Sequence, residues 1–485
     1  MRQGALCMNS LESIFNARSV AVVGASASPE KTGHIILRNI IGGGFQGSVY
    51  PVNPKADEIL GLKCYPSLSA IPGTLDLAVV VVPARFVPGV IEEGGEKGIK
   101  GAVVISGGFG EIGNEALETE LKDAARKYGV RLIGPNCQGF NYTPNRLCAS
   151  WPLVRSRGPI AVVSQSGTVG ATMEMWAEQE EIGISAFVAL GNKSDVSELD
   201  LIEYFAADPN TRVVALYLEG LRDGRGFMEI IRKVGGSIPV VVLKPGKTEK
   251  GKKAVQSHTH SIAGRDEIFD GVCRQIGVAR AADITELYDF SKALGFMRPP
   301  KGNRMLVVTS SGGCGILATD AAEHVGIDVA PLSEETKQRL KEVLPETCVV
   351  SNPLDLTGDT DAKRYGTAVE TAAAGSGNGA AGSAPAGFDF FLLIFGDPIP
   401  GACEVVEDLK RKLCGAGTRG NIGGGFDEGG ADTSVGIAVC FLGGGEVEGV
   451  EVQKMHRSGI PVFPTPERAV KAMGALLRSK TRTRS

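Results

Sequence analysis

A chain of 485 residues is too long for one hydrophobic core and suggests about three domains at roughly 150 residues each. Its 43% hydrophobic and 22% charged residues exclude a disordered chain, and a net charge of -4, with one basic cluster in the terminal RSKTRTRS, leaves no electrostatic footprint for nucleic acid. No signal-peptide pattern opens the chain, its ten cysteines form no CxxC or CxxC…HxxxH motif, and apolar runs such as Asp76 to Ala84 fall far short of the ~20 residues a membrane span needs, so a reduced, cytoplasmic protein is expected.

In chain order, the first predicted strand is Val20 to Val23, followed by the loop GASASPEKTG and by Ile36, Leu37 and Ile40 at helical spacing. Further strands fall in GSVYPVNPK, LAVVVVPA, GAVVISGGF and VRLIGPNCQG. A second strand–loop–helix unit begins at Ile160 to Val163, runs through SQSGT into a helix near Gly167, and is followed by ISAFVALGN, VVALYLEG and IPVVVLKPG. The third begins at Met305 to Val308 and passes through TSSGGCG into a helix from about Gly315; FDFFLLIFGDP, GIAVCFLGG and GIPVFPTPERAVKAM follow. Strand–helix alternation of this kind predicts an α/β protein with doubly wound parallel sheets. Three consecutive domains, 1–150, 151–297 and 301–480, follow from breaks near Ser150 and at Arg298-Pro299-Pro300. The glycine-rich stretches 372–387 and 415–434 read as surface insertions in the third domain.

Ligands of open α/β sheets collect beyond the strand C-termini. In the first domain those ends carry Gly24, Ala25 and Ser26, then Asn53 and Lys55, then Val82 and Pro83, then Ser106 and Gly107. Small residues, backbone amides and one lysine suit a ligand with an adenine and a pyrophosphate, although a partial glycine loop alone is a weak signal. Lys55 stands where an acidic residue would serve a nicotinamide ribose; a positive charge there favours a phosphorylated ribose such as that of coenzyme A. SQSGT (Ser164 to Thr168) and TSSGGCG (Thr309 to Gly315) place hydroxyls and glycines at helix N-termini, where free N–H groups attract an anion; each alone is readable as an ordinary N-cap, but two glycine-flanked caps at strand ends are harder to dismiss.

The stretch KKAVQSHTHSIAG holds two of the five histidines, His258 and His260. They could form a metal site, carry a phosphoryl group, serve a nucleophile as base, or simply begin a helix. A metal site would want further ligands nearby, and His34, His324 and His456 sit in other segments. Lys252, Lys253 and flanking hydroxyls favour His258 as a nucleophile, since neutral imidazole accepts a phosphoryl group near pH 7. Glu219, closing the apolar strand of LYLEG, is the carboxylate suited to orient its ring.

Taken together, GPNCQG, SQSGT, YLEG, SHTHSIAG, SSGGCGILATD, NPLDLTGD and IPVFPTPERAVKAM resemble the nucleoside-diphosphate-forming acyl-CoA synthetases, relatives of succinyl-CoA synthetase and, in particular, ADP-forming acetate–CoA ligase α subunits. The resemblance runs from about Val20 to Leu476. It implies a CoA-binding Rossmann domain followed by two flavodoxin-like ligase domains. It also implies phosphorylation of His258, with Glu219 steadying the ring, and phosphate held by the helix starts at Ser166, Gly167 and Thr168 and at Gly312 and Gly313. Asn136 and Cys137 are then expected at CoA's thiol end. The implied reaction interconverts acyl-CoA, phosphate and ADP with acid, CoA and ATP through an acyl phosphate and a phosphohistidine. The substrates would be CoA and phosphate on this chain, with ADP or ATP and Mg2+ on a separate ATP-grasp β subunit, because no segment here is large enough for that module. One residue departs from the family's SHTGS: His260 takes the place of glycine. A non-catalytic CoA-binding regulator is the alternative; such a protein has no physical need of His258 and Glu219.

Overall fold

The computed structural model describes residues 11–235, 237–259, 265–374, 387–414, 435–442 and 444–479. The first sheet is built from β1 (Ser19–Val23), α1 (Thr32–Gly42), β2 (Ser48–Val52), β3 (Leu77–Val80), α2 (Val87–Glu96), β4 (Gly101–Val104), α3 (Glu115–Tyr128) and β5 (Arg131–Ile133). All its pairings are parallel, in the order β2-β1-β3-β4-β5, with Val20 facing Val49 on one side and Leu77 on the other. β1, β3 and β4 are wholly buried, as their unbroken apolar runs require of a sheet covered on both faces. The strand order reverses between β1 and β3, which puts the ligand crevice of a doubly wound sheet beside the loops that follow those two strands.

The second sheet contains β6 (Phe140–Tyr142), β7 (Leu147–Ala149), β8 (Arg157–Ser164), α4 (Gly167–Gln179), β9 (Ile184–Ala189), α5 (Glu198–Ala207), β10 (Val213–Tyr217), α6 (Gly224–Lys233), β11 (Val240–Leu243), α7 (Glu249–Thr259) and α8 (Asp266–Ile276). Its order within this unit is β11-β10-β8-β9-β6-β7. β8 through β11 pair in parallel, whereas β6 and β7 form an antiparallel hairpin joined to β9. The chain therefore passes from the first sheet to the second between Ile133 and Phe140, ahead of Ser150. Three-residue strands carry too little periodicity to be read, and Asn141, polar in sequence, is buried with its amide donating to Val154 O and Glu174 Oε1. Both sheets lie in one compact unit, Met1–Gln179 with Gly183–Ile276.

The second unit is Gly277–Ser485 together with Glu180–Ile182. It comprises α9 (Ile284–Phe296), β12 (Met305–Thr309), α10 (Gly312–Val325), α11 (Glu334–Val343), β13 (Leu354–Asp355), α12 (Ala362–Ala373), β14 (Phe390–Phe395), α13 (Ala402–Cys414), β15 (Gly436–Phe441), α14 (Glu446–Arg457), β16 (Val462–Phe463) and α15 (Pro466–Ser479). The sheet is parallel, in the order β13-β12-β14-β15-β16, the same winding as the first. By its contacts the second compact unit already begins at Gly277, ahead of the Arg298-Pro299-Pro300 linker. The cause is α9: it is buried from Leu287 to Gly295, packs against α15, and holds Arg468 in a two-pronged ion pair with Asp289 (2.7 and 2.8 Å). The first glycine-rich stretch also begins later than expected, since Ala372 and Ala373 are buried in α12; residues 375–386 and 415–434 lie outside the described residues.

Glu180 is integrated into this second unit. Its Oε2 accepts from Lys292 Nζ (2.9 Å) and Tyr288 Oη (3.1 Å), and Lys292, fully buried, also donates to Val462 O at 2.7 Å. His456 donates through Nδ1 to Glu180 O (2.8 Å) and accepts at Nε2 from Val462 N–H (3.3 Å), a pattern only the neutral ring satisfies. Burial accordingly lowers its pKa to about 4, with the Lys292 charge adding to the effect. Among the described residues no helix is long and apolar enough to cross a membrane.

Candidate active site

At the switch point of the first sheet, Gly24 has φ +93°, and a Cβ there would meet Val81 O at 2.8 Å, so only glycine fits the turn that closes the loop over β3. Asn53 Nδ2 donates to Ala25 O (2.7 Å), and its Oδ1 accepts the N–H of Lys55 (2.9 Å). Asn53 therefore ties two loops together, and the side chain of Lys55 is left exposed beyond them. Ser26 Oγ accepts from Ser28 N–H, while the ring of His34 donates to Ser26 O (2.9 Å). The Ser106 hydroxyl donates to Val82 O (2.6 Å), drawing Ser106 and Gly107 beside Val82 and Pro83. All four expected strand ends thus adjoin one edge. The N-terminus of α1 faces the same edge with no side-chain cap and no acidic residue in its first turn, leaving its positive end for an anion.

Asn136 and Cys137 separate in role. Asn136 is exposed, at φ +57°, with Oδ1 3.1 Å from where a Gly107 Cβ would stand. Cys137 is buried, its thiol donating to Val104 O, and burial pushes its pKa up to about 12. Of the two, Asn136 is the one that can meet a ligand.

In the second sheet, Ser166 precedes α4; its hydroxyl accepts from Val169 N–H at 3.4 Å and its carbonyl from Gly170 N–H. Gly167 is packed against Gln138, whose Oε1 would lie 2.5 Å from an added Cβ, and Thr168 is exposed. Gln165 reaches from the same loop to accept Gly220 N–H (2.9 Å), which joins the SQSGT loop to the segment carrying Glu219. Glu219 is buried at the end of β10, and the phenol of Tyr217 is pushed up to about 12 by burial and by Glu219 beside it. His258 falls in the last turn of α7; its side chain lies outside the described residues, as does the whole of His260.

Sequence reasoning missed the turn after β9. Gly191 fits only as glycine, since a Cβ would meet Pro135 O at 2.2 Å and φ is +55°. Asn192 donates through Nδ2 to Glu111 Oε2 (2.6 Å) and Glu118 Oε2 (3.2 Å) and accepts at Oδ1 from Asn136 (3.3 Å). Lys193 is buried and donates to Glu198 Oε2 (3.0 Å) and Gly220 O (2.8 Å); burial lowers its pKa while Glu198 opposes the shift. Burial works against ionisation of Glu111, but the N–H of Gly108 and the Asn192 amide hold it below the usual carboxylate range. The available signal was GNKSD itself, a glycine and polar residues at a strand end like the other loops.

In the second unit, Gly312 and Gly313 open α10 after the N-cap Ser311. Thr309 Oγ1 accepts Ser311 N–H and donates to Ser311 O, both at 2.9 Å, while Ser310 Oγ accepts Gly396 N–H at 2.8 Å. The Asp355 carboxylate already stands by this helix start, 2.9 Å from where a Gly312 Cβ would be, whereas Gly313 has open space. Among the described residues no cluster of three metal-ligating side chains occurs.

Residues 18–143 match a family model described as CoA binding domain, and residues 157–294 one described as succinyl-CoA ligase like flavodoxin domain. The chain is 40% identical over 476 residues to the ADP-forming acetate–CoA ligase I subunit alpha of Pyrococcus furiosus, covering 97% of both chains. It is 39% identical to the ADP-forming acetate–CoA ligase I of Archaeoglobus fulgidus, where the match takes up 96% of this chain and 63% of that one. The fold matches the dinucleotide-forming acetyl-coenzyme A synthetase 1 of Ca. Korarchaeum cryptofilum, solved with phosphate and ADP, with a TM-score of 0.85 and 37% identity over 97% of each chain.

Proposed function

Because the chain belongs to the family of ADP-forming acyl-CoA ligases, we propose that it is the α subunit of such an enzyme, interconverting acyl-CoA, phosphate and ADP with carboxylic acid, CoA and ATP. The observation that carries this reading is the wiring of one edge of the first unit. There Gly24 packs on Val81, Ser106 bonds Val82, Gly107 lies by Asn136, Gln138 packs on Gly167 at the start of α4, and Gln165 ties that loop to Gly220 beside the buried Glu219, a run of contacts that a passive CoA binder has no need to assemble.

CoA would lie across the first sheet, its pyrophosphate at the start of α1 and its 3′-phosphate toward Lys55. A phosphate oxygen attacks the thioester carbonyl, the C–S bond breaks, and acyl phosphate and CoA thiol result. An imidazole nitrogen of His258 then attacks phosphorus and the acyl carboxylate leaves. Glu219 would take the hydrogen bond of the other ring nitrogen, favouring the ring that has lost a lone pair to phosphorus. The N–H groups and positive end of α4 at Ser166, Gly167 and Thr168 would stabilise the transferred group, catalysis being mainly positioning and charge neutralisation. Gly312 and Gly313 would provide a second anion-binding helix start. ADP with its magnesium belongs on the partner, an ATP-grasp chain; in the Archaeoglobus relative the additional length is part of the same polypeptide. The eight cysteines whose side chains are described are free thiols, in keeping with a cytoplasmic setting.

Intact mass after incubation with inorganic phosphate and a panel of short-chain acyl-CoAs tests the proposal. One acid-labile phosphoryl group should appear on the parent and not on His258→Asn, and the responding acyl-CoA names the acid. If no member of the panel labels the parent, even with an ATP-grasp partner and ATP supplied, the CoA-binding regulator becomes the better reading.

A further inference from the structure

The segment Leu190–Ser194 touches three of the loops to which the reaction assigns a part: those of Ser164, Asn136 and Glu219. Leu190 N–H donates to Ser164 O (2.8 Å), at the head of the SQSGT loop. Asn192 N–H donates to Pro135 O (2.9 Å) and Ser194 N–H to Gly134 O (3.1 Å), so the turn lies along the backbone that presents Asn136. Its side chains then diverge. Asn192 turns to the acyl-CoA side, where it bonds Asn136, Glu111 and Glu118, and Ser194 adds a bond to Glu118 at 2.7 Å. Lys193 turns the other way and grips Gly220 O, next to Glu219, while Arg222 reaches back to the carbonyls of Lys193 (3.0 Å) and Asn192 (2.9 Å). We propose that this turn is a positioning device that holds the acyl-transfer loop and the phosphohistidine-steadying loop in one fixed relation, with Asn192 acting on the first and Lys193 on the second.

Two features set this apart from ordinary loop packing. The Asn192 amide lies between two carboxylates, both ionised in preference because burial is outweighed by their hydrogen bonds, so its orientation is fixed: Nδ2 toward the acids and Oδ1 toward Asn136. Lys193, with φ +54°, and Gly191 both hold left-handed backbone, a conformation that persists in a non-glycine residue only where the surroundings over-determine it. A shift of about 1 Å at either loop would separate the acyl phosphate formed on one side from the imidazole that consumes it, a displacement able to cost roughly 100-fold.

The inference rests on the ligase reading, and the two can fail separately. The test uses the full chain, the acyl-CoA that labels the parent with inorganic phosphate, and the acyl phosphate of the same acid, which enters after the thioester step. Asn192→Ala should slow labelling from acyl-CoA and phosphate by roughly 10- to 100-fold at saturating acyl-CoA, with KM and labelling from acyl phosphate each within about threefold of the parent. Arg222→Gln, at an exposed residue, should slow both routes, because it frees the turn on the Glu219 side. Equal losses by both routes in Asn192→Ala together with a lowered Tm would reduce the turn to a structural element and overturn the proposal. So would unchanged labelling by acyl-CoA. A parent labelled by neither acyl-CoA nor acyl phosphate would remove the ligase reading itself, and this inference with it.

Discussion

Glu174 lies wholly buried in α4, two turns from the helix start assigned to phosphate. Its Oε1 accepts from Asn141 and its Oε2 has no partner in the structure, and burial raises its pKa well above the ordinary carboxyl range, with Glu178 adding to the shift. The native chain therefore holds a proton that the unfolded chain releases near the ordinary carboxyl pKa. With more protons bound in the folded state, stability is complete below that value and falls as pH rises from there toward the folded-state pKa. Glu174→Gln keeps the shape without the titration, so its Tm relative to the parent should climb between pH 4.5 and pH 8 and match the parent's trend below pH 4.5. Differential scanning calorimetry across that range decides; a parent that gains on the variant as pH rises would refute it. Nothing in the sequence announced this acid, because glutamate on a helix is ordinarily solvated and only its burial against Asn141 and the Phe140–Tyr142 strand makes it unusual.

At the scale of elements, the central strands were legible because Val20 to Val23, Ile160 to Val163 and Met305 to Val308 are unbroken apolar runs ending in glycine or hydroxyl loops, the pattern of a doubly covered parallel sheet. The loops at their ends were legible for the same reason. Elements whose place depends on distant partners were not. The Phe140–Ala149 hairpin joins the second sheet through pairing with Ile184–Ala189, and α9 changes unit through Arg468, 179 residues away from Asp289. Asn192 likewise draws its meaning from Asn136 and Glu111, 56 and 81 residues off. Among the loops, Gly24 offers the plainest test. Gly24→Ala forces left-handed backbone on a residue with a Cβ and drives it into Val81 O, a strain of roughly 1–3 kcal/mol. Isothermal titration should show CoA binding weakened by at least about tenfold with the second unit's melting unaltered. Undiminished binding would mean that this loop does not seat CoA.

For the whole molecule, the three sheets fall into two compact units, the first two sheets in one and the third in the other. The two outer sheets share the winding order in which the second strand in sequence lies at the edge, so one architectural rule serves both the CoA crevice and the sheet that carries Gly312 and Gly313. The three residues Glu180–Ile182 complicate this division, because they are flanked in the chain by α4 and β9 of the first unit yet count with the second. A fragment of residues 277–485 would leave the buried Lys292 ammonium without its carboxylate and the His456 Nδ1–H without its carbonyl. Lys292 is fully buried while Glu180 is partly exposed, so losing the carboxylate costs less than the about 3–5 kcal/mol of a fully buried pair but still leaves a buried charge unpaired, and the fragment should melt below the same sheet within the full chain, or fail to fold. A fragment that melts with the full chain would sink the argument. The consequence reaches past stability into inheritance: a recombination that moves or removes the last sheet as one continuous block leaves behind the tripeptide that completes it, so this unit is not freely exchangeable between genes, whereas a block beginning before Glu180 would travel with its own closing piece.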